Sequence, residues 1–172
     1  MWDLYNEPGN NGLMNKSMPL LKNVFKWARE IDPEQPLTAG IWNQKLTNLN
    51  EFQINNSDVI TYHNYSNEND HKIAIDSLKL FDRPLVCTEY LARTNESRFE
   101  NIMVLLKNEG IGAINWGLVS GKTNTIYAWD TPVPDGSEPA VWFCNIFRQD
   151  GSSYDPEEIK LIRNITGKNN SE

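Results

Sequence analysis

Basic charge is in short supply. Sixteen lysines and arginines stand against 23 aspartates and glutamates in 172 residues, a net charge of -7. Nucleic acids and anionic membrane surfaces select for basic patches, so neither is expected as a partner. No apolar run approaches the length of a membrane span, and the start Met1-Trp2-Asp3-Leu4 lacks the basic residues and apolar stretch of a signal peptide, which leaves location unassigned. Histidine is limited to His63 and His71, without ligand spacing to carboxylates or cysteines, so no metal site is expected. Cysteine is limited to Cys87, in an apolar run, and Cys144, beside Trp142 and Phe143; both read as small buried side chains. Gly110-Ile111-Gly112 is half a dinucleotide fingerprint in the wrong order of elements, and Gly121-Lys122-Thr123 lacks the upstream glycine of a phosphate loop. No cofactor is expected. Low-complexity segments and linkers are missing too, so residues 1–172 read as a single globular domain.

What is present is an alternation of strand-length apolar runs with amphipathic stretches. Strands are predicted at 1–5, 37–41, 59–62, 85–88 and 113–116. The first helix, 19–31, carries an apolar face of Leu20, Leu21, Val24, Phe25, Ala28 and Ile31. The second, 73–81, carries Ile73, Ala74, Leu78 and Phe81, and the third Phe99, Ile102, Met103 and Leu106 before a left-handed cap at Gly110. Residues between 42 and 58 read as a loop. Another loop, 117–150, is long enough to be functional rather than connective. Asp155-Pro156-Glu157-Glu158 reads as a capping box opening the last helix. The order is α/β with a parallel sheet and helical crossovers. A doubly wound sheet and part of an eight-stranded barrel both fit it.

Polar and aromatic groups gather just after each strand: Asn6-Glu7-Pro8, Trp42-Asn43, His63-Asn64-Tyr65, Glu89-Tyr90 and Trp116. In a parallel barrel every strand's C-terminal end opens on one face, so these groups would converge. Glycoside hydrolysis needs such a set: two carboxylates across a sugar ring, donors for its hydroxyls and an aromatic floor. Asn6 would donate to a sugar hydroxyl and Trp116 would stack on the ring. Trp42, Trp129 and Trp142 either line such a cleft or pack the long loop. A carboxylate such as Glu89, ending an apolar run, is costly unless used or paired.

With these residues the chain resembles the clan A retaining glycoside hydrolases, in particular the cellulase family (family five). Trp2-Asp3-Leu4-Tyr5-Asn6-Glu7-Pro8 is similar to the acid/base strand, the fourth of that barrel. His63-Asn64-Tyr65 is similar to the His-x-Tyr after strand six, Thr88-Glu89-Tyr90 to the nucleophile after strand seven, and Trp116 to the stacking tryptophan of strand eight. The resemblance implies the C-terminal five-eighths of a (β/α)8 barrel, strands four to eight. It implies a retaining β-glycoside hydrolase acting on a β-linked oligo- or polysaccharide, with Glu7 as acid/base and Glu89 as nucleophile. Tyr65 would then hydrogen-bond the nucleophile, His63 would lie near the acid/base, and Asn6, Trp42 and Trp116 would bind substrate. Strands one to three, and an arginine near the nucleophile on strand two, have no counterpart. A five-stranded arc has two open edges, so a homo-oligomer or a separate N-terminal barrel half is the expected partner. The alternatives are a non-catalytic carbohydrate-binding or assembly module, and an unrelated doubly wound domain in which the two carboxylates never meet.

Overall fold

The structure is a computed structural model and describes residues 1–167; the last five residues of the expected domain lie outside it. Strands β1 (Trp2–Asp3) and β2 (Leu37–Thr38) pair in parallel, and β3 (Ile60–His63), β4 (Leu85–Glu89) and β5 (Gly112–Ala113) form a second parallel set. A parallel bridge from Ile41 to Tyr62 joins the two. The spatial order is therefore the sequence order, without reversal. A doubly wound sheet requires the order to reverse at a switch point. Sequential order with crossover helices instead produces a barrel-like arc, and that reading stands.

Helices α1 (Met18–Ile31), α3 (Glu68–Lys79), α4 (Val104–Asn108) and α5 (Pro156–Thr166) match the periodic stretches. Their buried faces differ in part from expectation. In α1, Leu21 and Phe25 are buried, one turn apart, whereas Leu20 and Ile31 are exposed. In α3 the buried row is His71, Ala74, Ile75 and Leu78. The Asn67 side chain caps the helix by accepting from the Asp70 N–H. Ile73 is exposed because at 3.6 residues per turn it falls off the buried row, and Phe81, also exposed, lies past the last helical residue, Lys79. A π-helical turn, Phe99–Met103, leads into α4, and Gly110 takes the expected left-handed conformation. At α5 the Asp155 carboxylate caps the Glu157 N–H, but the reciprocal arm of a capping box does not form. Glu158 is instead buried against Arg93.

Residues 47–56, expected as loop, form helix α2 (Thr47–Asn56). Four asparagines in ten residues are weak helix formers and mask the period. Only Leu49 and Gln53 are buried along it. The Gln53 amide donates to the carbonyls of Ala39 (3.1 Å) and Gly40 (2.7 Å), satisfying backbone groups where β2 has ended.

The larger core lies between β3–β4 and the helices α3 and α4, with Ile60, Tyr62, Leu85 and Cys87 meeting Ile75, Leu78, Ile102 and Leu106. A smaller one, built on Leu21, Phe25, Leu37 and Leu49, lies under β1–β2. Loop 117–150 has no helix or strand but a solid anchor. Trp142 stacks on Tyr154 (4.9 Å, 15°), with Arg148 over one ring and Arg93 over the other. Cys144 and Cys87 are both buried and unpaired, and burial pushes each thiol up to about 12. No helix among the described residues is long and apolar enough to cross a membrane.

Candidate active site

The two carboxylates reach the same place by different routes. On β4 the route is a bulge. Ile60, Thr61 and Tyr62 pair with Leu85, Val86 and Cys87, but His63 pairs with Glu89, so Thr88 is the extra residue. Regular alternation would put Glu89 on the face of Leu85 and Cys87, which is the helix-side core. One inserted residue turns it to the face of His63. On the β1 side, Glu7 lies beyond the strand in left-handed backbone (φ 47°), immediately before Pro8. Such a conformation costs on the order of 1–3 kcal/mol in a non-glycine residue and persists only where its surroundings impose it. Here the Asn10 N–H donates to the Glu7 carbonyl, the Trp42 indole N–H to the Pro8 carbonyl (2.9 Å), and the Gly9 N–H to Ser17 Oγ (2.9 Å). Gly9 is itself left-handed, and a Cβ there would meet the Leu46 and Leu49 methyls within 3 Å.

His63 bridges the pair. Its Nδ1 lies 2.9 Å from Glu7 Oε1 and 3.2 Å from Glu89 Oε2. Its side chain is 2% exposed, against 16% for Glu7 and 13% for Glu89, so water competes little for these bonds. Gly40 makes room for the ring: a Cβ there would lie 2.9 Å from His63 Nε2. The Tyr65 hydroxyl donates to Glu89 Oε2 at 2.7 Å, and the Asn10 amide donates to Glu7 Oε2 at 2.6 Å. Burial raises the Glu89 carboxyl above the ordinary glutamate range, and the Tyr65 hydrogen bond and His63 oppose that rise. Burial and Glu89 together raise the Tyr65 phenol, so it remains a donor. One oxygen of each glutamate and His63 Nδ1 lie within 4.8 Å of one another, a set of donors able to ligate a metal ion; each is engaged here by its neighbours.

Glu7, His63, Tyr65 and Glu89 thus form one cluster, joined by the His63–Glu7 and Tyr65–Glu89 hydrogen bonds and the 3.2 Å contact of His63 with Glu89. Trp42 is tied to it through Pro8 and lines, with His63 and Tyr65, an open cavity of about 720 Å³ that runs between α2 and α3 to Phe81. Asn6 is exposed and Trp116 is 43% exposed beyond β5. No side-chain hydrogen bond among the described residues joins either of them to the cluster. Two contributors escaped the sequence reading. Asn10 sits in a run of Gly and Asn that reads only as a turn. Asp3 lies close enough to His63 for their charges to attract, yet it occupies a position that reads as strand interior.

An α/β arc of parallel strands, with paired carboxylates at one end, is the class of structure these features define. Among solved structures the chain is similar to an endo-β-1,4-mannanase from Thermotoga petrophila, at a TM-score of 0.56 and 18% identity. The match covers 99% of this chain and 44% of the mannanase, so the chain spans less than half the length of that enzyme. At that identity the likeness is one of fold, and with the strand order it makes the architecture a partial (β/α)8 barrel. No protein-family model matches the chain, and no curated protein does.

Proposed function

We propose that the chain is the C-terminal part of a retaining β-glycoside hydrolase that cleaves O-glycosidic bonds in β-linked glycans by double displacement. The observation that carries this reading is the Glu7–His63–Glu89 cluster, in which carboxylate oxygens from two distant strand ends lie within 4.8 Å of each other. An oxygen pair that close leaves little room for the water of an inverting site, whose carboxyl groups stand roughly 6.5–9.5 Å apart, and so favours retention, which needs roughly 5–5.5 Å.

In the proposed first step a Glu89 oxygen attacks the anomeric carbon while Glu7 gives its proton to the departing glycosidic oxygen. In the second, Glu7 takes a proton from water, the water oxygen bonds to the anomeric carbon, and Glu89 leaves as carboxylate. Tyr65 and His63 hold Glu89 and Glu7 in line and limit the charge repulsion between them. Asn6, Trp42 and Trp116 bind the sugar. Protons and water suffice for both steps. An aryl β-glycoside assay tests the reading: hydrolysis that disappears in Glu89→Gln supports it, and hydrolysis that survives overturns it.

One observation favours a second reading, a non-catalytic carbohydrate-binding or assembly module. Both edge strands are open, with Trp2 and Asp3 exposed on β1 and Gly112 and Ala113 on β5. Unpaired edges recruit other chains. We therefore also propose that a second copy, or a separate N-terminal barrel half, covers these edges and that the whole of residues 1–172 acts as one domain. Light scattering at micromolar concentration should give at least twice the 19.8 kDa of one chain; a stable monomer would reject self-assembly.

A further inference from the structure

Loop 117–150 brings one large aromatic ring to the cluster. Trp129 meets Tyr65 edge to face, with ring centroids 4.8 Å apart at 89°, and meets Phe143 in the same manner at 4.7 Å and 78°. Phe143 is 1% exposed and belongs to a small core with Ala92 and Cys144. Tyr65 is the residue whose hydroxyl donates to Glu89. Trp129 is thus braced on one side by a buried anchor and on the other by a member of the cluster.

Despite that bracing, 64% of Trp129 is exposed, against 1% for Trp142 in the same loop. Isolated exposed tryptophans are unremarkable on a protein surface, and Trp27 on α1 is 51% exposed with no ring partner among the described residues. What sets Trp129 apart is its combination of a fixed orientation, an open ring and direct contact with the residue that holds Glu89. If its task were only to pack the loop, the ring would lie under it, as Trp142 does between Tyr154 and Arg148. Ligand sites for neutral, hydroxyl-rich molecules combine a few placed polar groups with a rigid aromatic surface. Trp129 supplies such a surface one residue removed from Glu89.

We infer that Trp129 is the stacking platform for the sugar unit adjoining the one that reacts, and that it selects β-linked oligosaccharides over single glycosides. The C–H face of an equatorially linked pyranose is the apolar surface it would cover. This rests on the glycosidase reading of Glu7 and Glu89, and the test separates the two.

Hydrolysis of a β-1,4-linked hexasaccharide (mannan or cellulose type) and of an aryl β-monoglycoside is compared for the wild-type chain, Trp129→Ala and Trp129→Phe. Trp129→Ala should raise the KM for the hexasaccharide about tenfold, equivalent to ~1.4 kcal/mol. That rise should be several times larger than the one for the monoglycoside, and Trp129→Phe should recover most of it. Equal losses of kcat on both substrates with KM unmoved would mean that Trp129 merely props Tyr65, and would overturn the inference. So would no change on either. If the wild-type chain hydrolyses neither substrate, the glycosidase reading falls, and calorimetric titration with the hexasaccharide decides on Trp129 alone. Binding that Trp129→Ala loses would uphold the platform; binding that is absent or indifferent to the substitution would overturn it.

Discussion

The two seams that deliver the carboxylates are built in opposite ways. Along β3–β4 the backbone does the positioning: four residue pairs, a fully buried β3, and a bulge that turns Glu89, the last strand residue, toward His63. Along β1–β2 only two pairs form, Trp2 and Asp3 are exposed, and Glu7 lies four residues past the strand. Its place is set by side chains from elsewhere, namely Trp42, Ser17 and Asn10. The proposed nucleophile therefore sits on the stiffest part of the sheet, and the proposed acid on a strained turn at an open edge. An acid that must release and recover a proton in successive steps tolerates such a mount better than a nucleophile that must meet one carbon in line.

The largest expected effect sharpens this contrast directly. Glu89→Ala should remove turnover on every substrate, and added azide should restore it as a glycosyl azide of inverted configuration, identified by NMR. Failure of azide with good leaving groups would place the nucleophile elsewhere. Next, Glu7→Ala should lose roughly 10²–10⁴-fold on poor leaving groups, the usual contribution of general acid catalysis, while substrates with good leaving groups are largely spared in the first step. Equal losses across a leaving-group series would reject its role as acid.

The third prediction concerns stability on the Glu89 side of the molecule. Arg93 follows β4 and pairs with Glu158 of α5 through two bonds of 2.7 and 2.6 Å, with both side chains at least nine-tenths buried. Glu158→Gln leaves that guanidinium without its counter-charge, so denaturant unfolding should report a loss of ~3–5 kcal/mol. A loss below ~1 kcal/mol would show that this end is no better anchored than an exposed ion pair. The smallest effect should be in pH. Glu89 must be ionised to attack, and its carboxyl is raised by burial and held back by Tyr65. Tyr65→Phe removes a bond to the charged form, so the carboxyl rises further and the acid limb of the kcat/KM profile should move to higher pH. An acid limb that stays put would mean that Glu89 does not define it.

Strands β3 and β4 fall within a residue of the expected 59–62 and 85–88, whereas β1, β2 and β5 shorten to two residues each from the expected 1–5, 37–41 and 113–116. Apolar runs closed by Asn6-Glu7, His63-Asn64-Tyr65 and Glu89-Tyr90 are local patterns, and parallel crossovers bring such ends together without further information. Helix α2 was missed because its ten residues carry no apolar stripe; its buried Gln53 acquires meaning only from carbonyls of Ala39 and Gly40, supplied by another element. The face of α3 differs from expectation because Ile73 is as apolar as Ile75, and packing against β3–β4, not the local pattern, selects the row of Ile75 and Leu78. The Arg93–Glu158 pair spans 65 positions and leaves no local trace.

From the sequence alone came the order of the strands, the α/β class and Glu7, His63, Tyr65 and Glu89 as groups following strands, since each depends on patterns within a single element. The tertiary structure decided where Glu89 points. Its alternation with Leu85 and Cys87 would turn it into the helix-side core, and only pairing with β3 creates the bulge that faces it toward His63 and Glu7. Side-chain direction in a strand has a period of two, so one unpaired residue reverses it, and whether a residue is left unpaired is settled by the neighbouring strand.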